Sequence, residues 1–250
     1  MKRSRLLEER IFENFIRQLK NKKRFFCQHD FFRLLDESFK QYVGNISAGK
    51  NLYRARRMSK DEYEDRKKIL TNNDPFKGFD KKGSFVLPAK RCRANRANTI
   101  GIPCLYVSSS ENTAIAEVRP FKETYVSLAT IKLKKSLRLY KFYFSANESE
   151  IYGESIIDIL PFWYIMLNRM FSTPYEYTDN DEYLVTQCIA EYIRLSGKFD
   201  GILYNSSLDD DGENIALFNC RNNNYNLCEP VESVVYSINS IKVIHKLLCK

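Results

Sequence analysis

The 250-residue sequence holds only two histidines, His29 and His245, and one tryptophan. With histidines so few, so far apart and without a motif around either, a Ser-His-Asp triad is a poor fit. His29 reads as a helix-surface residue and His245 as a strand residue. Seven cysteines form no CxxC pair. Their scatter and odd number read as reduced thiols of a cytosolic protein, and no structural zinc site or other metal is expected. There is no Walker A sequence, no GxGxxG and no GxSxG. Apolar runs are short. The longest, Ile156 to Phe171, is interrupted by Asp158, Pro161, Asn168 and Arg169, so no membrane span is expected. The opening stretch MKRSRLLEERIFENF is charged throughout and does not read as a secretory signal.

Aromatic rings and positive charge are abundant. Seventeen Phe and sixteen Tyr supply a ring-rich core, and the hydrophobic fraction of 44% is that of a folded chain. The formal net charge of +9 suits a surface that meets phosphates, whether in nucleic acid, in an acidic partner or in a small anionic ligand.

Periodicity supplies the outline. Leu7, Ile11, Phe15 and Leu19 recur at helical spacing, and the basic run Lys20 to Arg24 suits a helix C-terminus. Asp30 is placed to cap a second helix carrying Phe31, Leu34, Leu35 and Phe39, with Gly44 as its stop. Residues 1–46 therefore read as an N-terminal helical extension ahead of a main body, 47–250. In that body NLYRARR (51–57) is strand-like, and 58–95 is mostly loop with a helical turn. CLYVS (104–108) is a strand and ENTAIAEV (111–118) a helix closed by Pro120. Strands follow at 125–133 and 137–144, then helices at 148–171, broken at Pro161, and at 183–197. These form a helical insertion spanning about 148–195. Strands at 199–207, 213–219 and 234–247 complete an α+β pattern.

Without histidine, thiolate or metal chemistry, the reactive groups left are arginines, tyrosines, serines and acids. Arginine grips phosphate oxygens bidentately. Tyrosine stacks on a flat heterocycle. A carboxylate holds ribose hydroxyls and stabilises an oxocarbenium ion. Together they suit a dinucleotide with a labile N-glycosidic bond. In NAD⁺ the nicotinamide is already cationic and leaves without an acid to protonate it.

LYRAR (52–56), NRANTIGIPCLYVS (95–108), NTAIAEVRP (112–120), FDGILYNSS (199–207) and ENIALF (213–218) resemble the RES domain, a family named for an Arg, a Glu and a Ser, over residues 50–220. The resemblance implies a core like that of ADP-ribosyltransferases and NAD⁺ degradation by hydrolysis or phosphorolysis. NAD⁺ is then the substrate, inorganic phosphate a candidate co-substrate, and no separate cofactor is needed. The family includes toxins of bacterial toxin–antitoxin pairs, so the implied partner is an antitoxin with a helix-turn-helix domain, in the cytoplasm. Carried over by position, Glu117 is the catalytic acid, orienting the ribose and stabilising the cation at C1′. Arg54 clasps a phosphate, and Arg96 is the second basic contact, with Arg93 in the repeated Arg-Ala-Asn as its competitor. Tyr106 lines the nicotinamide pocket. Ser206 is the family's serine, with Ser207 its neighbour and rival. One departure is Asn205, where the family often has proline.

Other assignments of these residues are concrete. Glu117 could pair with Arg119 or Lys122 on a helix surface, and Glu191 with Arg194 one turn on. The DDDG run at 209–212 lacks calcium-loop spacing and reads as a solvated turn. Two other activities compete: ADP-ribosyl transfer to a macromolecule through the same pocket, and a non-catalytic basic module for nucleic acid. The latter rests on Lys20 to Arg24, Arg54 to Arg57 and Lys132, Lys134 and Lys135, with no nucleic-acid-binding motif beside them, so nucleic acid is not expected as a direct partner.

Overall fold

The architecture comes from a computed structural model that describes residues 2–22, 28–69, 75–142, 160–173, 183–221 and 224–241. It is α+β. Eight strands form one mixed sheet: β1 (Val43–Ile46), β2 (Asn51–Met58), β3 (Leu105–Ser108), β4 (Tyr125–Leu133), β5 (Leu137–Lys141), β6 (Gly201–Asn205), β7 (Glu213–Leu217) and β8 (Cys228–Ser237). Their order is β1-β5-β6-β7-β3-β2-β4-β8. All neighbours run antiparallel except β5 and β6, where Leu139 faces Gly201 in a parallel ladder. The sheet nearly divides in the middle. β2 and β4 share eight residue pairs, whereas β2 and β3 meet at one, Tyr53 with Ser108.

Side chains alternate across strands, so the sheet carries two cores. On one face lie Tyr140, Phe142, Ile202, Tyr204, Ala216 and Phe218. They are covered by α1 (Lys2–Asn21), α2 (Phe31–Ser38), α5 (Phe162–Ser172) and α6 (Leu184–Leu195). On the other face Leu52, Leu105, Val107, Ile131, Leu139, Leu203, Ile215 and Leu217 pack under Phe85 and Val86. The rings carry the first core. Phe31 stacks on Phe15 at 4.9 Å and meets the edge of Trp163 at 5.4 Å. The N-terminal helices are therefore seated on the main body, sharing its core. In α1 the buried residues are Phe12, Phe15 and Leu19, while Leu7 is 60% exposed.

Several sequence expectations shift. β2 and β4 fall where the alternating pattern puts them. Gly44 is a strand residue paired with Leu139, because α2 ends at Ser38. A side chain at 44 would press on Leu203, 3.1 Å away, so the glycine serves sheet packing. Asp30 makes no side-chain cap and instead pairs with Arg33, while the Phe31 N–H donates to His29 Nδ1 at 3.1 Å. The segment after β2 holds a ten-residue helix, α3 (Lys60–Ile69), and a 3₁₀ turn, Ala89–Arg91. No residue of α3 is buried, so its pattern carries no apolar stripe to read. β8 starts at Cys228, ahead of the expected 234, and its pairing with β4 shifts register between Thr130 and Ile131. Residues 148–159, Cys27, Cys249, His245 and the end of the basic run, Lys23 and Arg24, lie outside the described residues.

The shared core makes a prediction. Phe31→Ala should cost about 3–5 kcal/mol, the usual range for emptying a buried ring site. Urea unfolding followed by far-UV and near-UV signals should show one displaced transition. Two separate transitions, with the sheet unaffected, would mean that the N-terminal helices are an independent unit.

Candidate active site

The site is built where α4 (Glu111–Glu117) meets the β6–β7 hairpin. Ser110 starts the helix: its backbone is extended and its Oγ accepts from Thr113 N at 3.0 Å. The helix ends after two turns, the chain leaving through Arg119 at φ 45° into Pro120. Glu117 is thus the last helical residue, half-buried, beside carbonyls that have no helical partner. Its ionised form needs donors from elsewhere. Two arrive at the same oxygen, Oε1: Ser206 Oγ at 2.7 Å and Asn214 Nδ2 at 2.5 Å. No described residue donates to Oε2. Glu117 does not pair with Arg119 or Lys122.

Both donors are held from behind. Asn214 Oδ1 accepts from Ser108 Oγ at 2.8 Å, across the β3–β7 ladder. Ser206 Oγ accepts from Leu208 N at 3.1 Å, and Ser206 N donates to Gly212 O at 2.8 Å, closing the loop. The loop is fastened to α4 by Thr113 Oγ1, which donates to Asp209 Oδ2 at 2.5 Å. Gly212 lies against Thr113 so closely that a Cβ would sit 2.7 Å from its methyl. The acidic turn is therefore only partly solvated: Asp210 and Asp211 are exposed, while Asp209 is a fastener. Ser207 is exposed, so of the two serines only Ser206 reaches Glu117. Glu191 pairs with Arg194 at 3.0 Å, as its spacing suggests.

The remaining candidates have other partners, and Arg54 is paired with Ala129 of the second core. Arg96 Nη1 donates to the carbonyls of Phe171 (2.5 Å) and Ser172 (3.0 Å) at the end of α5. Arg93 is exposed. Tyr106 points its hydroxyl into the 95–98 turn, donating to Asn98 Oδ1 at 2.8 Å and accepting from Ala97 N at 3.0 Å. Arg54 donates from Nη1 to Tyr106 O at 2.8 Å, across the opening between β2 and β3. Burial, and next the nearby Arg56, lower its guanidinium to about 10, which leaves it a cation at neutral pH. Its buried Nε has no hydrogen-bond partner. No described hydrogen bond joins Arg54 to Glu117.

Sequence reasoning missed Tyr204 and Asn214. Burial raises the Tyr204 phenol, the Arg96 cation opposes that rise, and the Glu117 carboxylate adds to it. Tyr204 thus lies within electrostatic reach of both Arg96 and Glu117. Asn214 left a faint signal: it adjoins the apolar run Ile215–Leu217 of β7, where a buried unpaired amide would be costly. Among the described residues, no cluster of His, Cys, Asp and Glu could hold a metal ion, and no helix is long and apolar enough to cross a membrane.

Residues 52–238 match the model of the RES domain, and the chain belongs to that family. Among solved structures it is similar to a chain in the crystal structure of the M. tuberculosis MbcT–MbcA toxin–antitoxin complex, at 14% identity and a TM-score of 0.41, over 81% of this chain and 92% of that one. No curated protein matches it.

The buried phenols of Tyr106 and Tyr204 are both raised, chiefly by burial. The folded state keeps protons that the unfolded chain releases above about pH 10. Their contribution to stability is therefore complete below that pH and declines above it. Melting temperatures measured from about pH 8 to 11 should fall steeply at the alkaline end. Tyr204→Phe should flatten that fall; an identical slope would sink the assignment.

Proposed function

We propose that this RES-family protein degrades NAD⁺ by cleaving the bond between nicotinamide and ribose, and that it acts as the toxin of a toxin–antitoxin pair. The observation that carries the reading is Glu117, anchored through Oε1 by Ser206 and Asn214 with Oε2 left for a ligand. Family membership supports the toxin role and an antitoxin partner with a helix-turn-helix domain.

In this reading Glu117 Oε2 accepts a hydrogen bond from a ribose hydroxyl, and its charge stabilises the oxocarbenium ion that forms as the C1′–N bond breaks. The electron pair of that bond neutralises the pyridinium, so nicotinamide leaves without a proton. Water or inorganic phosphate then bonds to C1′; with water, one proton passes to solvent. Arg54 Nε and the unused N–H groups of Arg96 are the donors for the pyrophosphate oxygens. Tyr106 and Tyr204 line the base side.

The test is NAD⁺ consumption by the purified full chain, with and without inorganic phosphate. Wild type should release nicotinamide. Glu117→Gln, which keeps the shape and loses the charge, should fall about 10²–10³-fold, the scale of losing one group that stabilises transition-state charge. Phosphate dependence would identify the acceptor. Label from NAD⁺ appearing on a macromolecule would replace the reading with ADP-ribosyl transfer. A folded protein that leaves NAD⁺ intact in both conditions would overturn it.

A further inference from the structure

A two-step relay reaches the Glu117 carboxylate from inside the sheet. Ser108 and Asn214 are a cross-strand pair of β3 and β7, 4% and 5% exposed. The Ser108 hydroxyl donates to Asn214 Oδ1, and Asn214 Nδ2 donates to Glu117 Oε1. A carboxamide has two ends of nearly equal shape and opposite polarity. Turned over, Asn214 would set its own oxygen against the carboxylate. Two oxygens facing each other in a buried site repel, and Glu117 would then keep only the Ser206 bond. The hydrogen donated by Ser108 satisfies Oδ1 on the sheet side and so favours the orientation that points the NH₂ at Glu117. Without that hydroxyl, Oδ1 is buried with no partner, and the amide loses its reason to stay.

We propose that Ser108 is a positioning residue of the Glu117 site: it fixes the Asn214 amide and through it the rotamer of the Glu117 carboxylate. Ser108 acts only through Asn214. The proposal rests on the reading of Glu117 as the group that meets the ribose, and it concerns kcat rather than substrate affinity.

Two measurements on the full-length protein test it, one of them independent of turnover. The first is solvent exchange of the Asn214 side-chain NH₂ protons by NMR. Ser108→Ala should speed that exchange about tenfold, the scale of one net hydrogen bond. Ser108→Thr, which keeps the hydroxyl, should restore protection. The second is steady-state NAD⁺ loss. Ser108→Ala should lower kcat by about tenfold or more, as small misplacements of a reacting group do. KM should be unchanged, and Ser108→Thr should recover kcat. Wild-type exchange and wild-type kcat in Ser108→Ala would overturn the relay. A folded Ser108→Thr as impaired as Ser108→Ala would also overturn it, since packing rather than the hydroxyl would then be at work. If no variant, wild type included, consumes NAD⁺, alanine-specific loss of amide protection still upholds the relay, and it is the glycosidic reading that falls.

Discussion

A carboxylate at the C-terminal end of a helix is in an unfavourable place, because the last carbonyls of the helix already present partial negative charge. Glu117 occupies that place, and the surrounding structure answers it. Its compensating donors come from β6–β7, about ninety residues later in the chain. They reach it only if the hairpin is seated on α4. Thr113, which is also tied to the helix-capping Ser110, seats it by holding Asp209, and Gly212 permits the close approach. Docking of the hairpin and assembly of the site are therefore one event. Any change that loosens the 206–212 loop removes the charge compensation of Glu117 as well.

The second constraint is the weak middle of the sheet. One residue pair joins β2 to β3. The run Arg54-Ala-Arg-Arg ties β2 to that neighbour and to the segments flanking it. Arg54 reaches Tyr106 O, Arg56 reaches Gly83 O at 2.5 Å, and Arg57 reaches Arg119 O at 3.0 Å. Arg56 also lies over Phe79 and Arg57 over Phe121. A run that in sequence suggests contacts to phosphates is, in the fold, a set of clasps between β2 and its neighbours. That weakens the case for a basic nucleic-acid module, since these cations are partly consumed by the protein's own carbonyls.

Legibility in the sequence followed burial. Strand β4 is buried along most of its length, and β2, half-buried between Leu52 and Met58, follows it in register, so their patterns mark their limits closely. Glu117 was legible through its motif and its place beside Ala114 and Val118. The segment after β2 was not, because no residue of α3 is fully buried and its sequence carries no apolar period. Gly44 looked like a helix stop because glycine signals a turn and a tight sheet contact with the same letter. The partners of Arg96 and Tyr106 could not be read at all. Apart from the Asn98 side chain that takes the Tyr106 hydroxyl, they are backbone atoms of a helix end and a turn, and a backbone atom leaves no trace in a one-letter pattern.

The engagement of Arg96 bears directly on the proposed chemistry. A guanidinium has five N–H donors in a fixed plane. Among the described residues its Nη1 bonds the carbonyls of Phe171 and Ser172, and that anchored arm sets the plane of the guanidinium. An arginine fixed in this way loses less freedom when an anion binds than one waving from a surface, so more of the contact energy appears as affinity. The same division occurs at Glu117, where, among the described residues, Oε1 has two donors and Oε2 has none. Arg54, with Nη1 on Tyr106 O and Nε unpartnered, repeats it a third time. In the proposed reading each charged candidate is held by the scaffold on one side, the kind of fixed placement on which preorganised transition-state stabilisation draws.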